Sequence, residues 1–167
     1  MKKNFLVNIA KIAFFVVIVT IAYSCSKDEI ISVILPDANT ISGTVTFADT
    51  GFVSTGGTYL ISAFASWPPM SAPSAYDTIK ISRNTTTGRW NTAYSYKLKG
   101  INDGNYVVTT GFRKNVGGQS PILGVNGCDT THNSCVVTTT TRVAITGNAG
   151  VAGVNFVSWA DTTKKLY

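Results

Sequence analysis

The chain has 167 residues, with 14 Lys and Arg, 8 Asp and Glu, and one His. That length suits a single domain, and a charged fraction of 13% lies far below the roughly 25% of ordinary soluble domains. The formal charge of +6 does not indicate a nucleic-acid partner, because Lys2, Lys3 and Lys11 lie together at the start and the other basic residues are scattered without a stripe.

Met1-Lys2-Lys3-Asn4 is a short positive segment, and residues 12–22 form an apolar run. A secretory signal needs about 7–15 apolar residues. A membrane-spanning helix needs about 20, and Asn8 and Lys11 interrupt any longer stretch. The run ends at Ala22-Tyr23-Ser24-Cys25, with small residues where a signal peptidase cuts. Residues 1–24 therefore read as a signal peptide. Three cysteines occur, Cys25, Cys128 and Cys135. The last two can pair, which leaves Cys25 over, and an odd exported cysteine calls for an explanation.

Residues 21–25 resemble a lipobox, with Ala22 and Tyr23 standing where the commonest form has an aliphatic and a small residue. The resemblance implies cleavage before Cys25 and lipidation of its thiol, so that the chain is held in a membrane by acyl chains worth about 0.8 kcal/mol per buried CH₂. Cys25-Ser26-Lys27-Asp28-Glu29 resembles the surface-export signal of Bacteroidetes lipoproteins, in which a Lys and two acids follow the lipidated Cys. It implies an outer-membrane, cell-surface location, with the periplasmic face as the alternative. Residues 25–39 then form a tether ending in the breaker cluster Pro36-Asp37-Ala38-Asn39.

From residue 40 onward no helical stripe of useful length occurs. Alternation, β-branched and aromatic residues, and intervening turn residues recur instead. Strand-like runs lie over residues 40–47, 58–66, 78–83, 89–99, 106–112, 122–125, 135–141, 142–146 and 154–159. The clearest is 89–99, where Trp90, Tyr94, Tyr96 and Leu98 share one face and Ser95, Lys97 and Lys99 the other. Residues 84–88 and 102–105 read as turns. The prediction is an all-β domain over 40–160, an antiparallel sandwich of seven or eight strands, followed by a tail over 161–167.

Ile41-Ser42-Gly43-Thr44-Val45 resembles the opening strand of carboxypeptidase-regulatory-like, or transthyretin-like, β-sandwich domains. Tyr96-Lys97-Leu98-Lys99-Gly100-Ile101 through Gly104-Asn105-Tyr106 resembles their most recognisable strand–turn–strand stretch, and residues 143–156 their closing hairpin. The resemblance implies an immunoglobulin-like sandwich serving as a non-catalytic binding or spacer module. Long insertions at 67–77 and 113–134 depart from the pattern.

The inventory for catalysis is poor. His132 is the one histidine, Glu29 is the one glutamate, and the remaining acids past the tether's first residues are Asp37, Asp49, Asp77, Asp103, Asp129 and Asp161, mostly in turn contexts. No pair of acids looks like a glycosidase couple. Cys128, Asp129, His132 and Cys135 lack the usual zinc spacing, so a disulfide between Cys128 and Cys135 is expected in an oxidising envelope, with no metal or other cofactor. Trp90, Tyr94 and Tyr96 share parity with Leu98 and read as core. The proline-stiffened segment 67–76, carrying Trp67, Met70 and Tyr76, and the region 117–135 are the candidate contact surfaces for a glycan or protein ligand, the alternative for the first being a loop folded over the sandwich end with Trp67 plugging the core. The expected function is non-catalytic binding or adhesion by a lipid-anchored envelope protein. A spacer subunit of a fimbria-like assembly is the alternative, and a hydrolase ranks below both.

Overall fold

The computed structural model describes residues 35–118, 120–130 and 141–166. The leader, Cys25, the Lys27-Asp28-Glu29 signal, His132, Cys135 and the predicted strand over 135–141 lie outside them or nearly so. Among the described residues there are eight strands and no helix: β1 (Thr40–Phe47), β2 (Gly57–Phe64), β3 (Ala75–Ile79), β4 (Ala93–Lys99), β5 (Gly104–Lys114), β6 (Ile122–Val125), β7 (Val143–Ile145) and β8 (Phe156–Ser158). They form two sheets. One has the order β4-β1-β8. The other runs β3-β2-β5, with β6 and β7 sharing the far edge of β5. The alternation of β1 and β4 explains the first sheet. Ile41, Val45 and Phe47, with Tyr96 and Leu98, enter the core, while Ser95, Lys97 and Lys99 stay wet.

The pairing of β1 with β8 is parallel, Val45 opposite Phe156 and Phe47 opposite Ser158, so the sandwich is mixed rather than wholly antiparallel as expected. The cause is the route of the returning chain. It enters beside Thr40 and runs in the same direction as β1, with Val151 N–H donating to the Thr40 carbonyl (2.8 Å) and Val154 N–H to the Ser42 carbonyl (3.1 Å). Val151 lies opposite Ile41 and Phe156 opposite Val45, so the returning segment carries one residue more than β1 and folds inward. It folds over Gly43, where a Cβ would lie 2.1 Å from the Val154 carbonyl oxygen. Only glycine permits that approach of two backbones.

Two strands differ most from expectation. β3 occupies 75–79 rather than 78–83, and β4 begins at Ala93 rather than Arg89. Residues 82–91 form a small hairpin of their own. Arg83 bridges Trp90, and Asn84 Oδ1 accepts the N–H groups of Thr86 and Thr87. An asparagine that satisfies two turn donors locally outcompetes continuation of the strand.

β2 and β5 are apolar on both parities. Tyr59, Ile61, Val108 and Phe112 face the core between the sheets, whereas Val107 looks outward and packs with Ile122, Val125 and Cys128 beneath Trp67 and Leu166. A bulge in β6 allows this. Thr110 lies opposite Gly124 and Gly111 opposite Ile122, which leaves Leu123 as the extra residue. Leu123 joins the central core while Ile122 and Val125 join the outer cluster, the re-aiming that a bulge provides.

The sandwich is closed along both sides. On one, Trp159 N–H donates to the Leu123 carbonyl (3.0 Å) and Leu166 N–H to the Ile122 carbonyl (2.7 Å), so the C-terminal chain links the two sheets. On the other, Asp77 accepts from Thr78 N–H (2.8 Å) and from Lys97 N–H of β4 (3.0 Å). Inside, the Tyr96 hydroxyl donates to the Val154 carbonyl (2.6 Å), and the Tyr59 hydroxyl donates to the Ala160 carbonyl while accepting Val53 N–H. Burial pushes the pKa of both phenols above the usual tyrosine value.

A folded-state pKa raised above that of the unfolded chain means stability that is complete below about pH 10 and is lost as pH rises beyond it. The thermal midpoint should therefore hold through neutral pH and fall above pH 10. Tyr96→Phe should cost about 1–2 kcal/mol at neutral pH and make the alkaline fall shallower, as followed by circular dichroism. Gly43→Ala should cost about 1–3 kcal/mol in urea unfolding by driving a methyl group against the Val154 carbonyl.

Candidate functional site

After β2 the chain crosses the outer face of the five-stranded sheet before returning as β3, and the Ser74 N–H pins the return on the Ala63 carbonyl (2.8 Å). The residues singled out in 67–76 take different roles here. Trp67 is half-buried against the outer cluster, its ring 6.3 Å from that of Phe64, and anchors the segment. Met70 is 87% exposed. Tyr76, 56% exposed, belongs to β3 opposite Ser62.

Between this segment and the sheet lies a cleft of about 310 Å³. Leu60 and Ser62 of β2, Thr109 and Gly111 of β5, and Ile122 of β6 contribute its floor. Ala72, Pro73 and Tyr76 form one wall. The lining is mostly apolar, and Gly111 leaves the middle of the floor without a side chain. Arg113 stands at one end, its guanidinium 5.9 Å from the centre of the Tyr76 ring. Among the described residues no carboxylate pairs with it. On the far side of the Pro73–Tyr76 ridge, an open groove is bordered by Asp77, Lys97 and Lys99. There Lys97 Nζ sits 2.8 Å from Asp37, and its hydrogen bond and charge hold the Asp37 carboxyl below its ordinary range.

Three further acids accept from backbone N–H groups. Asp49 accepts from the N–H groups of Gly51, Ala160 and Asp161, and Asp103 from those of Gly147 and Asn148. Asp161 accepts from Thr163, whose N–H holds the Asp161 carboxyl below its ordinary pKa. Among the described residues no group of three His, Cys, Asp or Glu side chains is placed to hold a metal. Cys128 is buried in the outer cluster, and its predicted partner Cys135 lies outside the described residues. Trp90 lies under the Arg83 guanidinium (4.0 Å) and beside Phe52, away from the central core that Tyr96 enters. Trp159 and the tail are docked. The indole N–H donates to the Thr130 carbonyl (3.1 Å), Lys164 Nζ stands 4.3 Å from the ring, and Leu166 packs on the outer cluster.

The sequence reading found Tyr76 but missed Arg113, Gly111 and the strand residues of the floor. The available signal was the absence of charge on both parities of β2 and of most of β5, which marks strands covered on both faces. Two adjacent threonines carry a further mark. The hydroxyls of Thr109, beneath the cleft, and Thr110, on the interior face, are buried without a hydrogen-bond partner. An unsatisfied buried hydroxyl is costly. Thr110→Val should therefore raise stability by about 1 kcal/mol, and Thr109→Val should do likewise, each read as an increase in the urea midpoint without change of slope.

Compared with known proteins, the chain matches no family model, no curated protein sequence and no solved structure.

Proposed function

We propose that the chain is a lipid-anchored protein of the cell envelope, tethered through Cys25 and displayed at the outer-membrane surface, whose β-sandwich binds a ligand without catalysis. The finer fold in this reading is the transthyretin-like, carboxypeptidase-regulatory-like sandwich. The observation that carries the binding role is the cleft, a concave, largely apolar site with one charged end. The use of the acids adds to it. Asp49, Asp77, Asp103 and Asp161 are engaged by backbone N–H groups, which leaves them poorly placed to act as general acids or bases. In the same reading Cys128 pairs with Cys135, a link worth about 2–3 kcal/mol by the chain-entropy model.

The spacer-subunit alternative would use a free strand edge. The Asp77 carboxylate occupies the N–H of Lys97 on β4, and the C-terminal chain covers β6, so both sides of the sandwich are blunted against strand addition. This weighs against assembly by edge pairing.

Mass spectrometry of the mature N-terminus, with protease shaving of intact cells, tests the anchoring. A lipidated Cys25 and cleavage of the domain on whole cells are expected, and Cys25→Ala should release the protein from the membrane fraction. An unlipidated N-terminus in the wild type would overturn the anchoring. Full shielding from protease would overturn surface display.

A further inference from the structure

We infer that the cleft beside Tyr76 takes a small amphipathic carboxylate, an aliphatic or aromatic body ending in one carboxyl group. This rests on the binding role proposed above and names its ligand class. The argument begins with shape. At about 310 Å³ the cleft is at the small end of ligand sites, and Leu60, Ile122, Pro73 and the Tyr76 ring bound it with apolar surface. A ligand that gains by entering must therefore bring an apolar body. Gly111 matters here, because its missing side chain keeps the floor open between Ile122 and the end of β5.

Charge then selects the other end of the ligand. Among the described residues Arg113 is the one charged residue in the lining. It has no carboxylate partner among the described residues, and it lies over the Tyr76 ring. A guanidinium presents parallel N–H donors that match a carboxylate in bidentate fashion. A single cation suits a monoanion, whereas a phosphate dianion would leave charge unmatched. A neutral sugar would gain little from walls made largely of aliphatic carbon and would leave Arg113 unused.

The test uses the full-length lipidated chain in lipid nanodiscs. Straight-chain and phenyl-terminated carboxylates of four to ten carbons, each beside its primary amide, are titrated by calorimetry, with empty nanodiscs as the blank. At least one carboxylate should bind at least tenfold more tightly than its amide. Arg113→Gln, an exposed substitution, should remove that tenfold preference, and raising NaCl should weaken the acid but not the amide. Gly111→Val should abolish binding of both. If Gly111→Val does not fold, as judged by circular dichroism, Tyr76→Ala serves in its place. Equal affinity for acid and amide, with sensitivity to Tyr76→Ala, would overturn the carboxylate assignment and leave the cleft a binding site. Binding of neither, by a folded wild-type chain, would overturn the assignment too. A glycan or protein captured through Met70 and Tyr76 would then be what sustains the broader binding role.

Discussion

The structure depends on one returning segment that turns the backbone of Val154 and Ala160 into the space between the sheets. Residues 151–160 return along β1, push inward over Gly43, pair with β1 as β8, and then hydrogen-bond to β6 of the other sheet. A backbone run into a core carries carbonyls that must be satisfied there. Two tyrosines meet that demand, Tyr96 from one sheet and Tyr59 from the other. The same phenols contribute ring area to the core, Tyr59 edge-on to Phe47, Phe52 and Phe112, and Tyr96 to Phe156. Asp49 secures the far end of the segment through the N–H groups of Ala160 and Asp161. One segment thus joins the sheets by hydrogen bonds, by packing and by a carboxylate cap.

The cleft follows from the same arrangement. With the C-terminal chain closing one side and Asp77 the other, the two sheets form a rigid platform, and the five-stranded sheet has an outer face rich in apolar residues. Trp67 and Leu166 cover one part of it, with Val107, Ile122 and Val125 beneath them. The part above Leu60 and Gly111 stays open and becomes the cleft. Chemistry placed on strands that are fixed on their other face is held more firmly than chemistry on a free loop. Here Arg113 and Thr109 sit on β5, Leu60 and Ser62 on β2, and Tyr76 on β3. The segment that carries Met70 is anchored at Trp67 and at Ser74.

What could be read in the sequence was whatever local pattern decides. The bounds of β1 and β6, the in-and-out alternation of Tyr94, Tyr96 and Leu98 against Ser95, Lys97 and Lys99, and the turn at Asn84 all follow from side-chain period and turn chemistry within a few residues. The parallel placement of β8 did not follow, since it is set by a contact with a residue more than a hundred positions away. The hairpin over 82–91 shortened two predicted strands because a local asparagine competed with the sheet. Tyr76 was legible as an aromatic in a proline-stiffened stretch, whereas Arg113 and Gly111 looked like the end of an ordinary strand. Only the packing of the crossing segment gives them a shared cavity. The leader and Cys25 are the reverse case, where composition and order alone carry the reading.

The most direct measurement is native-state hydrogen exchange on the full chain, residue by residue. If residues 151–159 hold the sheets together, the N–H groups of Val151, Val154 and Trp159 should exchange only through global unfolding, at the same free energy as central β2 and β5 amides such as Ile61 and Val108. Exchange of the 151–159 amides through a local opening of much lower free energy, with β2 and β5 still protected, would show that the sandwich stands without its C-terminal segment and would contradict this account.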